Sequence, residues 1–195
     1  MNPVPPELSV VIPFYNEAGA IPGLLAEVRA TMDALGRPYE AIFIDDGSAD
    51  GTPAALAAAT QAWPAARVIR QTPNQGQAAA LLRGFQEVRG RWIITLDGDG
   101  QNVPADIPAL LAAAENSDMV VGIRATRRDS ALRRMMSRLA NEVRGRMLGD
   151  HVQDSGCALK VFRAEVRAAF FPIRSLYSFL PAMAVAAGYR VTELP

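Results

Sequence analysis

Short apolar runs, each closing on acidic or turn residues, alternate with stretches whose apolar residues follow a helical period. The first run, "LSVVIP" (Leu8–Pro13), is almost continuously apolar, the pattern of a strand buried on both faces. From Glu17 to Leu35 the period lengthens: Ile21, Leu24, Leu25, Val28, Met32 and Leu35 share one helix face, and Gly36 stops it. Asn16 is the expected N-cap of this helix. "EAIFIDDGS" (Glu40–Ser48) repeats the plan of an apolar strand ending in acid and glycine. A helix over "GTPAALAAATQAW" follows, with Thr52 as N-cap and Pro53 at the first helical position. "ARVIRQ", "RWIITLD" and "DMVVGIR" read as three more strands. "NQGQAAALLRGFQEVRG" is a helix closed by Gly90, and "PALLAAAEN" a short one. Arg124 to Gly149 breaks the rhythm and reads as a loop leading into a long basic helix. "CALKVFRAEV" predicts a strand then a helix, "SFLPAMAVAAG" a helix and "YRVTELP" a last strand. Strands alternating with helices of roughly 10–20 residues predict crossover units and a mainly parallel sheet in one domain spanning 1–195.

Composition narrows the setting. Half of the 195 residues are hydrophobic, enough for one sizeable core, and the formal net charge is zero, so nothing points to nucleic acid. Cys157 is the only cysteine, which excludes an internal disulfide and fits a reducing compartment. The N-terminus lacks a secretory pattern, and no apolar run approaches the ~18 residues that span a bilayer. His151, the only histidine, has no second histidine to share a metal with, and Cys157 reads as a small core residue.

The chemistry lies in the strand ends, because open α/β sheets bind ligands at the carboxyl ends of their strands. Three such ends read "PFYNE", "DDGSADGT" and "DGDGQ". No glycine-rich phosphate loop is present, which takes most of the weight from the dinucleotide and P-loop readings. "DGDGQ" is not an EF-hand, since the twelfth position from Asp97 is Pro108 where a bidentate Glu is required. It is either a solvated turn or a site for a hard cation such as Mg²⁺ or Mn²⁺. Such a cation takes one or two protein carboxylates and fills its other positions with phosphate and water. Asp99 and Gln101 offer suitable oxygens. Tyr15 can stack on a base, and Asp45 and Asp46 can accept from ribose hydroxyls or a base N–H. Each stretch alone also reads as an ordinary turn.

Taken together, "VVIPFYNE", "IFIDDGSADGT", "NQGQAAALLRGF" and "ITLDGDGQNVPADIP" resemble glycosyltransferase family 2. "DSGCALKVFR" and "SFLPAMAVAAGYRVTELP" resemble its dolichyl- and undecaprenyl-phosphate sugar transferases. The resemblance implies the GT-A fold, a Rossmann-like, mainly parallel sheet flanked by helices. It implies a metal-dependent, inverting transfer of a sugar from a nucleotide sugar to a polyprenyl phosphate at the cytoplasmic membrane face. The protein would then be peripheral, with self-association left open. Pro13, Tyr15 and Glu17 would line the nucleoside pocket, with Ile44 and Asp46 at base and ribose. Asp97, Gly98 and Asp99 would meet ribose and diphosphate, and Asp99 and Gln101 would hold the ion. Arg124 would approach the donor phosphates, and Asp154 the reacting sugar. Gln77 stands where relatives often carry Lys, and Tyr177–Ser178 where they often carry His-Arg. Relatives also continue beyond "TELP", so the chain is expected to be a catalytic core cut short at its C-terminus. A nucleotide-sugar-binding protein without turnover, or a transferase with a saccharide acceptor, are the alternatives.

A phosphate acceptor is already ionised near neutrality, with a second pKa of roughly 6 by analogy with phosphoserine, so it needs cations more than a base. The stretch from Arg124 to Arg146 holds eight arginines against Asp129 and Glu142. Arg134 and Arg138 stand four apart on one helical face, opposite Leu132, Met135, Met136, Leu139 and Val143. A basic amphipathic helix of this kind suits an anionic membrane surface, and would equally pack on the core. Arg124, Arg134 and Arg138 are the candidate acceptor-phosphate ligands.

Overall fold

The computed structural model describes residues 4–123 and 154–195. The expected basic helix, with Arg124, Arg134, Arg138 and His151, lies outside the described residues.

Seven strands form one sheet in the order β3-β2-β1-β4-β6-β5-β7. They are β1 (Leu8–Phe14), β2 (Tyr39–Asp46), β3 (Ala66–Gln71), β4 (Trp92–Thr95), β5 (Met119–Gly122), β6 (Lys160–Arg163) and β7 (Val191–Leu194). β1 is parallel to β2 and β4, β2 to β3, and β5 to β7, whereas β6 runs antiparallel to both β4 and β5. The mainly parallel sheet expected from the alternation is therefore present. β6 inserts itself between two strands that are neighbours in sequence, an order that no local pattern encodes. β1 and the middle of β2, residues 41–44, are almost wholly apolar because both faces of the sheet are covered there.

The helices are α1 (Ile21–Ala34), α2 (Thr52–Thr60), α3 (Gln77–Glu87), α4 (Ile107–Ala113) and α5 (Leu176–Ala186). The predicted apolar face of α1 is buried through Ile21, Leu24, Leu25, Val28 and Met32. The helix starts four residues later than expected, and Ala20, not Asn16, is its N-cap. Asn16 takes a left-handed backbone with φ of 56°, and its Oδ1 accepts from Ala49 N at 2.9 Å instead. Gly51, not Thr52, caps α2, because the Thr52 hydroxyl is committed elsewhere, as shown below. After β6 the expected helix is a 3₁₀ segment, Ala164–Ala169. α3 lies close on β1 and β2. A Cβ at Gly84 would sit 2.4 Å from Val11 Cγ1, so only glycine permits this approach.

At the amino ends of the strands, opposite the carboxyl ends, Glu40 is 2% exposed. Its carboxylate accepts from Ser9 Oγ at 2.7 Å, Arg67 Nη1 at 2.6 Å, Arg89 N at 2.6 Å and Arg89 Nε at 3.1 Å. Burial pushes Glu40 up, but these hydrogen bonds together outweigh it and hold the carboxyl below its ordinary value. The clamp joins β1, β2, β3 and the end of α3 without touching the carboxyl ends.

Candidate active site

The register sets the three polar strand ends side by side. Phe14 pairs with Asp45 across β1 and β2, and Val11 with Thr95 across β1 and β4. Residues 13–17, 45–46 and 96–99 therefore emerge at one edge, around a pocket of about 310 Å³. Its wall comprises Pro13, Phe14, Tyr15 and Glu17 after β1, Asp46 after β2, Asn74, Gly76 and Gln77 at the entry to α3, and Asp97, Gly98 and Asp99 after β4. Tyr15 is 50% exposed, leaving a ring face free to stack. A Cβ on Gly98 would lie 2.6 Å from Phe14 Cδ1 and 2.7 Å from Pro13 O, so glycine is what lets the two strand ends close.

The loop after β1 is built by "DDGSADGT". Asn16 N donates to Ser48 Oγ at 3.0 Å, Glu17 N to Thr52 Oγ1 at 2.8 Å and Ala18 N to Asp50 Oδ2 at 3.3 Å. Asp50 Oδ1 in turn accepts from Thr52 N at 2.9 Å. These hydrogen bonds, that of the Thr52 side chain first, hold the Asp50 carboxyl below its ordinary value. Asp45 accepts from Ser48 N at 3.0 Å and lies 3.2 Å from Arg70 Nε, an ion pair without hydrogen-bond alignment.

Asp46 lines the pocket, but its carboxylate is saturated. Oδ1 accepts from Gln71 Nε2 at 2.6 Å and Gln75 N at 2.9 Å; Oδ2 accepts from Asn74 Nδ2 at 3.0 Å and Gly76 N at 2.8 Å. Four donors fill the roughly four lone-pair positions of a carboxylate. Asp46 thus shapes the 71–76 loop, and a ribose hydroxyl would have to displace a protein donor to bind it. Ile44 corrects the expectation more fully. It is 0% exposed, packed in the core beneath α3 at Gly84, and its side chain does not reach the pocket.

The "DGDGQ" turn is ordered from several sides. Gln77 Nε2 donates to Asp97 Oδ1 at 2.8 Å, Asn102 Oδ1 accepts from Asp97 N at 3.1 Å, and Asp99 Oδ1 accepts from Gln101 N at 2.9 Å. Gln77, a departure from the usual Lys, places a neutral donor on Asp97. Gln101 is exposed beside the pocket rather than on its wall. Asp154 is buried; its N–H donates to Glu193 Oε1 at 2.9 Å, tying it to β7, and it is not on the described pocket wall.

Sequence reasoning missed Tyr177 and Lys160. Tyr177, in the first turn of α5, donates to Leu96 O at 3.0 Å behind the "DGDGQ" turn. Burial, then the nearby Asp97 and Asp99 carboxylates, push its hydroxyl well above the ordinary 10, so it stays protonated. Lys160, 0% exposed, donates from Nζ to Cys157 O and lies 5.2 Å from the centre of the Tyr177 ring. A lone lysine in a chain rich in arginine was the available signal.

Among the described residues no cluster of three or more His, Cys, Asp or Glu side chains could cage a metal. The two carboxylates of the "DGDGQ" turn instead match a hard cation that brings phosphate and water as its remaining ligands. The residues fit that role, Asp99 being exposed at the pocket mouth. A larger groove of about 950 Å³ adjoins the pocket and shares Asn74, Gly76 and Gln77 with it. Its described wall carries Arg70, Arg83 and Arg174 but no carboxylate.

The sequence model of the family described as "Glycosyl transferase family 2" matches residues 9–171. The chain belongs to glycosyl transferase family 2. Among its relatives is the undecaprenyl-phosphate 4-deoxy-4-formamido-L-arabinose transferase of Pseudomonas paraeruginosa, 43% identical over 187 residues, 94% of this chain and 55% of that protein. The protein of the same name in Shewanella sediminis is 42% identical over 180 residues, 91% of this chain and 54% of that protein. The chain thus spans about half the length of these curated relatives. Solved structures share the fold. The mannosyltransferase PcManGT of Pyrobaculum calidifontis, in complex with GDP-Man and Mn²⁺, superposes with a TM-score of 0.69 at 21% identity, covering 98% of this chain and 55% of that one. Mycobacterium tuberculosis glucosyl-3-phosphoglycerate synthase, with Mn²⁺, UDP-glucose and phosphoglyceric acid, gives 0.72 at 18% identity, covering 96% and 69%. The fold is therefore GT-A.

Proposed function

We propose that this family 2 domain transfers a sugar, with inversion, from a nucleotide-diphosphate sugar to a polyprenyl phosphate. The observation that carries the donor half is the convergence of Tyr15, Asp97 and Asp99 on one pocket at the carboxyl ends of β1, β2 and β4. In this reading Tyr15 stacks on the base, with Pro13 and Glu17 beside it. The 71–76 loop, shaped by Asp46, borders the ribose. Asp97 and Gly98 face ribose and diphosphate. Asp99, with Gln101 beside it, would hold Mg²⁺ or Mn²⁺, and the ion would supply positive charge against the departing nucleoside diphosphate. Asp154 is the acid assigned to the reacting sugar.

A phosphate oxygen of the acceptor forms the new bond to the anomeric carbon as the bond to the diphosphate breaks. The electron pair leaves with the diphosphate, and the ionised acceptor has no proton to lose. The acceptor half rests on the sequence: Arg124, Arg134 and Arg138 supply forked donors for a lipid phosphate, in a stretch suited to an anionic membrane surface. No helix among the described residues is long and apolar enough to cross a membrane. The relatives named above make nucleotide-linked 4-deoxy-4-formamido-L-arabinose the first donor to try. The test is transfer of labelled sugar, in Mn²⁺, to undecaprenyl phosphate and to a free-hydroxyl sugar in parallel. Product on the lipid is expected; product on the free sugar alone would overturn the acceptor assignment.

A further inference from the structure

β4 ends at Thr95, and the next ladder contact, Leu96 N to Val11 O, is already stretched to 3.4 Å. Leu96 is 0% exposed, so its carbonyl needs a partner from the protein. That partner is the Tyr177 hydroxyl, 3.0 Å away. The ring is held in turn: Tyr177 is 8% exposed, flanked by buried Leu176 and Leu180, with the Lys160 ammonium over its face. Lys160 is placed by its register opposite Thr95 on β4, next to the peptide in question.

We propose that Tyr177 is a positioning residue for Asp97: from behind the pocket it fixes the Leu96–Asp97 peptide and turns the carboxylate toward the nucleotide, with Lys160 bracing its ring. The proposal rests on the reading of the pocket as a nucleotide site. The Asp97 side chain is then held by Gln77 from α3, and the peptide before it by Tyr177 from α5 through Leu96 O. The segment that the sequence marks as a departure, Tyr177–Ser178, supports the site instead of lining it.

A double-mutant cycle separates this role from simple satisfaction of a buried carbonyl. The dissociation constants of UDP and GDP in Mn²⁺ are measured by calorimetry for the full chain, Tyr177→Phe, Asp97→Asn and the double variant. Tyr177→Phe is expected to weaken binding roughly 10-fold alone, and no more than about 2-fold when Asp97 is already Asn. Weakening by the same factor in both backgrounds would overturn the positioning role and leave the nucleotide reading intact. An Asp97→Asn variant that binds like the parent, or a parent that binds neither diphosphate, would overturn both. Tyr177→Phe removes a single oxygen, and thermal unfolding checks that the variant is folded. If it is not, Tyr177→His, a smaller ring with its own donor, runs the same cycle against the same outcomes.

Discussion

Tyr15 and Asp99 place different demands on one pocket, and truncating each separates them. Tyr15 offers a half-exposed ring, and stacking a base on such a ring is worth about 1–3 kcal/mol by alanine substitution. Tyr15→Ala is therefore expected to weaken UDP or GDP roughly 5–150-fold in calorimetry, while the Mn²⁺ concentration needed for half-maximal binding stays unchanged. Asp99 is exposed on a turn, so Asp99→Ala should leave thermal unfolding unchanged. It should raise the Mn²⁺ requirement by at least about 10-fold, since even outer-shell partners of a metal contribute that much. Their place on one pocket wall was legible in the sequence because an aromatic and a carboxylate at strand ends are chemically pointed. Ile44, which the resemblance put at base and ribose, lies wholly in the core, since a strand buried on both faces gives no sign of which side chains approach the ligand edge.

Among the elements, β1, β2, α1 and α3 were readable because their apolar periods coincide with the faces they bury. Helix entries were not, because side-chain oxygens that could cap locally bond to another loop; Thr52 serves Glu17 N, and Asn16 serves Ala49 N. The Glu40 clamp was also hidden, since an acid at the start of a predicted strand gives no sign of being buried. Its folded pKa lies below its ordinary 4.5. Its contribution is thus full above the unfolded pKa and is lost as pH falls through the folded value. Glu40→Gln is expected to cost about 1–3 kcal/mol near pH 7 and to flatten the loss of stability below about pH 4.5, as read by urea unfolding across pH. Asp46→Asn should behave differently. It turns an amide donor toward N–H groups of the 71–76 loop, so it should lower both the unfolding temperature and nucleotide affinity, followed by scanning calorimetry and titration.

For the whole molecule, the sequence foretold one α/β domain and the sheet edge at which the polar strand ends meet. The insertion of β6 between β4 and β5 depends on long-range pairing and left no local trace. The insertion also puts Lys160 opposite Thr95 and so behind the site. At this scale the acceptor hypothesis predicts that the double change Arg134→Ala, Arg138→Ala raises the acceptor KM roughly 10–150-fold, with little change in the donor KM. Binding to vesicles should rise with anionic lipid and fall with salt. The central claim, that the strand-end pocket takes a nucleoside diphosphate together with a divalent ion, is tested most directly by titrating UDP and GDP into the chain in Mn²⁺ and again in EDTA. One-to-one binding of at least one diphosphate, lost in EDTA, is the predicted result; no binding of either in Mn²⁺, or equal affinity in EDTA, would contradict it.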